Sequence, residues 1–246
     1  MVQLINGKVV ENYRWSDSVF SLRIIAEPFD FKAGQFVRLG LPGGDAKALR
    51  AYSLASPPGA SVIDFVIAEV ADGLTSPQLA KLKPGDSVTI TQPASGFFTL
   101  DEVPDGDDLW LLSTGTGIGP FISMLHTEQP WRRFRRINLV HGVRTAADLV
   151  YQEQIQHWQQ QYPDRLGYQP VITREQIPGA LNERIPQLLE SGKLEAALAT
   201  SLTTNSQVML CGNPGMITEC RGVLAAKGLA KNTRRKPGNV TSENYW

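Results

Sequence analysis

Cysteine and histidine are both scarce in this chain. Its 246 residues include two cysteines and three histidines. Cys211 and Cys220 form no Cys-x-x-Cys pair, which argues against both an iron–sulfur cluster held within the chain and a disulfide framework. His126, His141 and His157 stand at no metal-ligand spacing, so no metal site is expected. Net charge is absent as well. The 24 basic and 24 acidic residues cancel, and bulk charge gives no reason to expect nucleic-acid binding. No signal peptide and no apolar run of membrane-spanning length is evident, so a soluble cytoplasmic protein with no membrane contact is expected; a monomer is the further expectation.

What is present is ordinary for a globular enzyme: 42% apolar and 20% charged residues, enough to bury a sizeable core. The length suggests one large or two small domains. The first hundred residues read as β. Phe20, Leu22 and Ile24 alternate, as do Ile63, Phe65 and Ile67, then Val88 and Ile90. Further strands are expected around residues 8–11, 35–41 and 50–55. Turn signals at 42–44, 57–59 and 83–86 separate them. About six short strands fit an all-β antiparallel barrel. A short helix is expected over 77–82.

The polar stretch 101–108 marks a domain boundary, with domains expected over 1–102 and 109–246. Beyond it the pattern alternates. Leu109 to Leu112 form a short apolar strand. Strands are also expected at 137–141, 168–173 and 207–210. Tyr151, Ile155, Trp158 and Tyr162 mark one face of a helix that Pro163 ends. Ile185, Leu188 and Leu189 mark another, and a third starts at Pro214 with Ile217, Cys220 and Leu224 inward. Strands alternating with helices imply an α/β domain with a parallel sheet.

Four stretches could carry chemistry. Residues 113–119 hold three glycines after a strand, with Pro120 suited to a first helical position. A strand, a glycine-rich turn and a helix start can point backbone N–H groups at a phosphate. Arg50, Ala51, Tyr52 and Ser53 open a barrel strand. There an arginine can bind a pyrophosphate bidentately, and a tyrosine two residues on can pack flat on an aromatic ring. Leu74, Thr75, Ser76 and Pro77 open the short helix with two hydroxyls. Cys211-Gly212-Asn213-Pro214 follows the last expected strand. Its carboxyl end should lie beside that of the Trp110 strand, where open α/β sheets bind ligands. Arginines at 132, 133, 135 and 136, and Arg234, Arg235 and Lys236, form two basic clusters. Each is either a solvated face or a dock for an acidic partner.

Taken together, these stretches resemble the ferredoxin–NADP reductase family, in its bacterial FAD-containing branch. RAYS at 50–53 looks like the family's flavin signature. GTGIGP at 115–120 and CGNPGM at 211–216 look like its nicotinamide-nucleotide motifs. KPGDSV at 83–88 and GFF at 96–98 fit its barrel, and the final Tyr245-Trp246 resembles an aromatic tail laid over FAD.

The resemblance implies FAD on the barrel, NADP(H) on the α/β domain, and hydride transfer between nicotinamide C4 and flavin N5. It implies that Arg50 binds the FAD pyrophosphate, Tyr52 stacks on the flavin and Ser53 faces N5. Val66, Ile67, Ala68, Glu69, Leu74, Thr75, Ser76 and Thr116 would line the rest. Val143, Arg144, Thr173, Arg174, Arg184, Asn213, Pro214 and Gly215 match its NADP positions, with the 2′-phosphate on Arg174 and Arg184. Ser53, Cys211 and Glu243 are implied as the catalytic group, although Trp246 extends the tail beyond the plant pattern. Acidic carriers, ferredoxin or flavodoxin, would take the electrons onward. A reductase of free flavin and a flavin-binding redox sensor are the rival readings.

Overall fold

The computed structural model describes residues 2–44 and 48–245. They divide into two compact units: Met1–Thr99 with Gly119–Thr127, and Leu100–Ile118 with Glu128–Trp246.

The first unit is built on six antiparallel strands: β1 (Gln3–Arg14), β2 (Val19–Ala26), β3 (Phe36–Gly40), β4 (Arg50–Ser53), β5 (Ile63–Ala68) and β6 (Ser87–Gln92). Their order is β4-β3-β6-β1-β2-β5. Just after β4, the Ala55 amide donates to the Asp64 carbonyl at 2.8 Å. That bond draws the two ends of the sheet together into a nearly closed barrel, which hides edges that would otherwise stay unpaired. The alternating residues Phe20, Leu22, Ile24, Phe65, Ile67, Val88 and Ile90 fill its interior. β1 runs well beyond the expected 8–11, because its inward positions, Ile5, Gly7 and Val9, alternate too weakly to read. A bulge between Val9 and Glu11 bends it around the barrel.

Helix α1 (Ser76–Leu79) is shorter than the expected 77–82. A single side chain helps to end it. Asn12 Nδ2 donates to the carbonyls of Leu79, Ala80 and Leu82 at 3.1, 3.2 and 2.9 Å. The Leu79 carbonyl also accepts the Leu82 amide at 3.2 Å, whereas the Ala80 and Leu82 carbonyls are of the kind that a helix end leaves over. Helix α2 (Gly119–Leu125) is buried along its whole length, as expected of a helix apolar or small on every side. Phe121 meets Phe98 with ring centroids 5.7 Å apart, and Ser123 Oγ donates to the Ser56 carbonyl at 2.7 Å.

The second unit is a five-stranded parallel sheet of β7 (Asp108–Thr114), β8 (Arg136–Val143), β9 (Leu166–Ile172), β10 (Ser206–Gly212) and β11 (Val240–Asn244). Its order is β11-β10-β7-β8-β9. Helices α3 (Gln129–Arg133), α4 (Gln152–Gln161), α5 (Ile185–Glu190), α6 (Lys193–Leu198) and α7 (Pro214–Ala226) accompany it. The apolar run from Leu109 to Leu112 is fully buried. Trp110 brings a polar atom into that core and satisfies it by donating from Nε1 to the Asp108 carboxylate, which also accepts from Ser206 Oγ. Trp110, Val140, Leu188, Leu210, Ile217 and Cys220 belong to one apolar cluster.

The basic run 132–136 is not a uniform surface patch. Arg133 donates to the Leu100 and Val103 carbonyls at 2.5 and 2.6 Å. Arg136 donates to the carbonyls of Asp164 and Leu198, both at 3.1 Å. Two of these arginines therefore tie chain segments together.

Asn12→Ala should destabilise the first unit by about 1–3 kcal/mol, the cost of stranding part-buried carbonyls. Denaturant unfolding checks this; an unchanged midpoint would remove Asn12 from the helix stop.

Candidate functional site

The RAYS stretch is strand β4 at one end of the barrel sheet. Tyr52 pairs with Val37 and Ser53 with Phe36. Alternation along the strand sets Arg50 and Tyr52 on one face. Arg50 and Ala51 are exposed, Tyr52 is half-buried and Ser53 is buried. Burial pushes the Tyr52 hydroxyl up to about 12, against the opposing pull of Arg50. The ring is therefore neutral at any working pH, flat, and neighbour to a cation.

On β5, Val66 and Ile67 are buried, Ala68 is half-buried, and Ile67 belongs to the barrel core. Just beyond, the Glu69 carboxylate is held by Arg14 at 2.6 Å. Leu74 is exposed. The two hydroxyls of the next turn are engaged within the protein. Thr75 Oγ1 donates to the Ala48 carbonyl at 2.5 Å, and Ser76 Oγ accepts from the Val70 amide at 3.0 Å. Both help to hold the turn, and Ser76, an acceptor in its bond, retains its own O–H as a donor.

In the second unit the site residues gather at the carboxyl ends of the parallel strands. A 3₁₀ turn, Gly115–Ile118, follows β7, and helix α2 begins at Gly119, one residue before the start expected at Pro120. Gly117 lies so close to the end of β10 that a Cβ would come within 2.7 Å of the Cys211 carbonyl oxygen. Gly212 has φ +129°, and a Cβ there would lie 2.3 Å from Thr114 Oγ1. Only glycine allows both approaches. Thr116 is buried in this turn. The Gly115 carbonyl is bound at 2.9 Å by Nε2 of His141, on β8. His141 Nδ1 is buried with no hydrogen-bond partner, so the ring carries its proton on Nε2.

The loops after β8 and β9 are hydrogen-bonded to each other. The Thr173 amide and hydroxyl both donate to the Val143 carbonyl, at 3.1 and 3.2 Å, and the Arg174 amide donates to the Arg144 carbonyl at 3.0 Å. Val143 is buried, whereas Arg144, Thr173 and Arg174 are exposed. Arg184 stands at the N-cap of α5. Its Nη2 lies 2.8 Å from Glu219 Oε1, on α7. The start of α7 is capped internally: Asn213 Oδ1 accepts from the amides of Gly215 and Met216 at 2.8 and 3.2 Å, and Pro214 has no amide hydrogen. Exposed guanidinia at the carboxyl ends of a parallel sheet are the donor set that a phosphorylated dinucleotide requires.

The tail is strand β11, which the sequence pattern does not reveal. Glu243 pairs with Cys211 across the β10–β11 ladder. The Tyr245 amide donates to the Gly212 carbonyl at 3.0 Å, and its side chain hydrogen-bonds Cys211. Tyr245 is thus tied to the sheet; Trp246 lies outside the described residues. Burial, then the charge of Glu243, pushes the Cys211 thiol well above its ordinary range. Burial also raises the Glu243 carboxyl to about 7, and its Oε2 is buried with no hydrogen-bond partner. Among the described residues, no group of acids, histidines and cysteines could hold a metal, and no helix is long and apolar enough to cross a membrane.

An oxidoreductase FAD-binding domain model matches residues 7–98, and an oxidoreductase NAD-binding domain model matches residues 111–222. Flavodoxin/ferredoxin–NADP reductases of Shigella flexneri and Escherichia coli are 43% and 42% identical, over all of this chain and all of theirs. The chain belongs to the flavodoxin/ferredoxin–NADP reductase family. A crystal structure of the ferredoxin NADP+ reductase from Neisseria gonorrhoeae, with bound FAD and NADP, superposes with a TM-score of 0.92. It is 33% identical, and the match covers 99% of both chains. This reductase is therefore an oxidoreductase with FAD- and NAD(P)-binding domains, and the barrel and parallel sheet are the two halves of that architecture. His141 and Glu219 were not anticipated as site residues. A histidine inside an apolar strand was the available signal for the first; an ion pair between two helices leaves none in sequence.

His141 and Glu243 make opposite contributions to stability. Burial lowers His141 to about 4, against the Gly115 hydrogen bond that favours the charged ring. Its contribution is present above its ordinary 6.5 and is lost as pH falls through 4. Glu243 is raised from 4.5 to about 7, so its contribution is present below 4.5 and is lost as pH rises through 7. Each is worth roughly 3 kcal/mol. Relative to the native chain, Glu243→Gln should grow less stable as pH falls from 7 to 4.5, and His141→Asn more stable as pH falls from 6.5 to 4. Urea unfolding across pH measures both; differences that do not change with pH would contradict the assignment.

Proposed function

We propose that this reductase moves electrons between NADPH and ferredoxin or flavodoxin, with FAD on the barrel and the nucleotide at the carboxyl ends of the parallel strands. The observation that carries this reading is the hydrogen-bonded pair of loops presenting Arg144 and Arg174 from adjoining strands. When bound, NADPH supplies a hydride and FAD accepts it and releases electrons singly.

The protein's own part is to bind, orient and exclude water. Arg50 clamps the FAD pyrophosphate, Tyr52 offers its neutral ring to the flavin, and the Ser53 hydroxyl is available to a ring nitrogen. The turn at 74–76 contributes shape and backbone, and the Ser76 hydroxyl, an acceptor toward the Val70 amide, retains its O–H to donate. Arg144, Arg174 and Arg184 take the nucleotide phosphates, with the 2′-phosphate on Arg174 and Arg184. Burial keeps the Cys211 thiol protonated, so its role is neutral packing beside the reacting ring rather than nucleophilic attack. Glu243, titrating near 7, is the group here that can hold or release a proton under working conditions.

For the carrier, Arg234 and Arg235 sit between Thr233 and Lys236, which bridge to each other, and Asn232 anchors the turn to Glu102 and Thr241. A fixed basic turn suits an acidic protein, and the carriers named for the enterobacterial relatives support this partner class.

Arg174→Gln removes a charge-assisted hydrogen bond to a phosphate that NADH lacks. NADPH affinity should fall about ten- to hundredfold while NADH affinity changes little. Equal losses for the two nucleotides would refute the 2′-phosphate assignment.

A further inference from the structure

Arg184 meets Glu219 at 2.8 Å, with the two side chains 54% and 43% exposed. The pair is fixed by packing beneath it. Arg184 caps α5 and Glu219 lies in the middle turns of α7. Ile185 and Leu188 from α5 share an apolar cluster with Ile217 and Cys220 from α7. Burial raises the Cys220 thiol to about 12, and the thiol also feels both charges, raised by Glu219 and lowered by Arg184. Among the described residues, neither Arg144 nor Arg174 has a carboxylate within salt-bridge distance. One of the three arginines is thus held by an internal anion, and two are not.

We propose that Glu219 is a specificity-tuning residue that competes with the nucleotide's 2′-phosphate for Arg184. The proposal rests on the reading of Arg184 as a 2′-phosphate ligand. A carboxylate and a phosphate use the same N–H donors of a guanidinium. A nucleotide carrying the 2′-phosphate has to displace or share Glu219; one with a 2′-hydroxyl leaves the ion pair as it is. Glu219 therefore weakens NADP(H) selectively and narrows its margin over NAD(H). It also eases release of the phosphorylated product. The pair is exposed, so water weakens it, and the effect is small: about two- to fivefold in affinity.

Isothermal titration of the FAD-loaded protein with adenosine 2′,5′-bisphosphate, and with 5′-AMP as the probe lacking the 2′-phosphate, tests this without turnover. Glu219→Gln should bind the bisphosphate about two- to fivefold more tightly and 5′-AMP as before. The gain should shrink as salt is raised, because the competing pair is screened. It should vanish in an Arg184→Gln background, since Glu219 acts through that arginine. Suppose Arg184→Gln weakens the bisphosphate selectively while Glu219→Gln leaves it unchanged or weaker. That overturns the competition and leaves the 2′-phosphate reading standing. If Arg184→Gln affects both probes equally, the underlying reading fails and the proposal with it.

Discussion

At the carboxyl end of β10, backbone lies directly on backbone. Gly117 approaches the Cys211 carbonyl and Gly212 approaches Thr114 so closely that neither position has room for a Cβ. This contact fixes the turn after β7 against the neighbouring strand, and the rest of the second unit's site is hung from it. His141 holds the turn by its Gly115 carbonyl. Thr114 Oγ1 accepts the Asn213 amide at 2.9 Å, and Asn213 in turn caps α7. The same α7 carries Glu219 to Arg184. A side chain at either glycine would move the turn, the cap and the helix together.

The tail is organised by a second backbone interaction. The parallel ladder between β10 and β11 sets Glu243 opposite Cys211 and lets Tyr245 reach back to the Cys211 sulfur. Burial raises both groups, with different consequences. It keeps the thiol protonated, whereas it brings the carboxyl into the neutral range. A chain end is ordinarily mobile unless something ties it down. Here the ladder ties it, and the result is a buried acid whose charge can change under mild conditions.

Strands with strong periodicity were legible from sequence: Phe20, Leu22 and Ile24 in the barrel, and the run from Leu109 to Leu112 in the sheet. The Arg50–Ser53 stretch was legible as a barrel strand, and the glycine-rich stretch as a turn between strand and helix. Strand β11 was not. Val240, Thr241, Ser242, Glu243 and Asn244 have no strand pattern of their own, and they pair because β10 offers an open edge. The basic run 132–136 was legible only as charge, because the carbonyls that Arg133 and Arg136 bind come from distant segments. The bonds by which Thr75 donates to the Ala48 carbonyl and Ser76 accepts the Val70 amide have no sequence signal either. The Glu219–Arg184 pair depends on how two helices pack, which no local signal encodes.

Anaerobic rapid mixing of the flavin-loaded protein with NADPH, alongside NADPH deuterated at the transferable C4 position, tests the central claim most directly. If hydride passes from nucleotide to flavin, the yellow flavin colour is lost within the mixing experiment and deuterium slows that loss. NADH at equal concentration bleaches the colour more slowly. Flavin colour that persists under excess NADPH would contradict the proposed electron path from nucleotide to FAD.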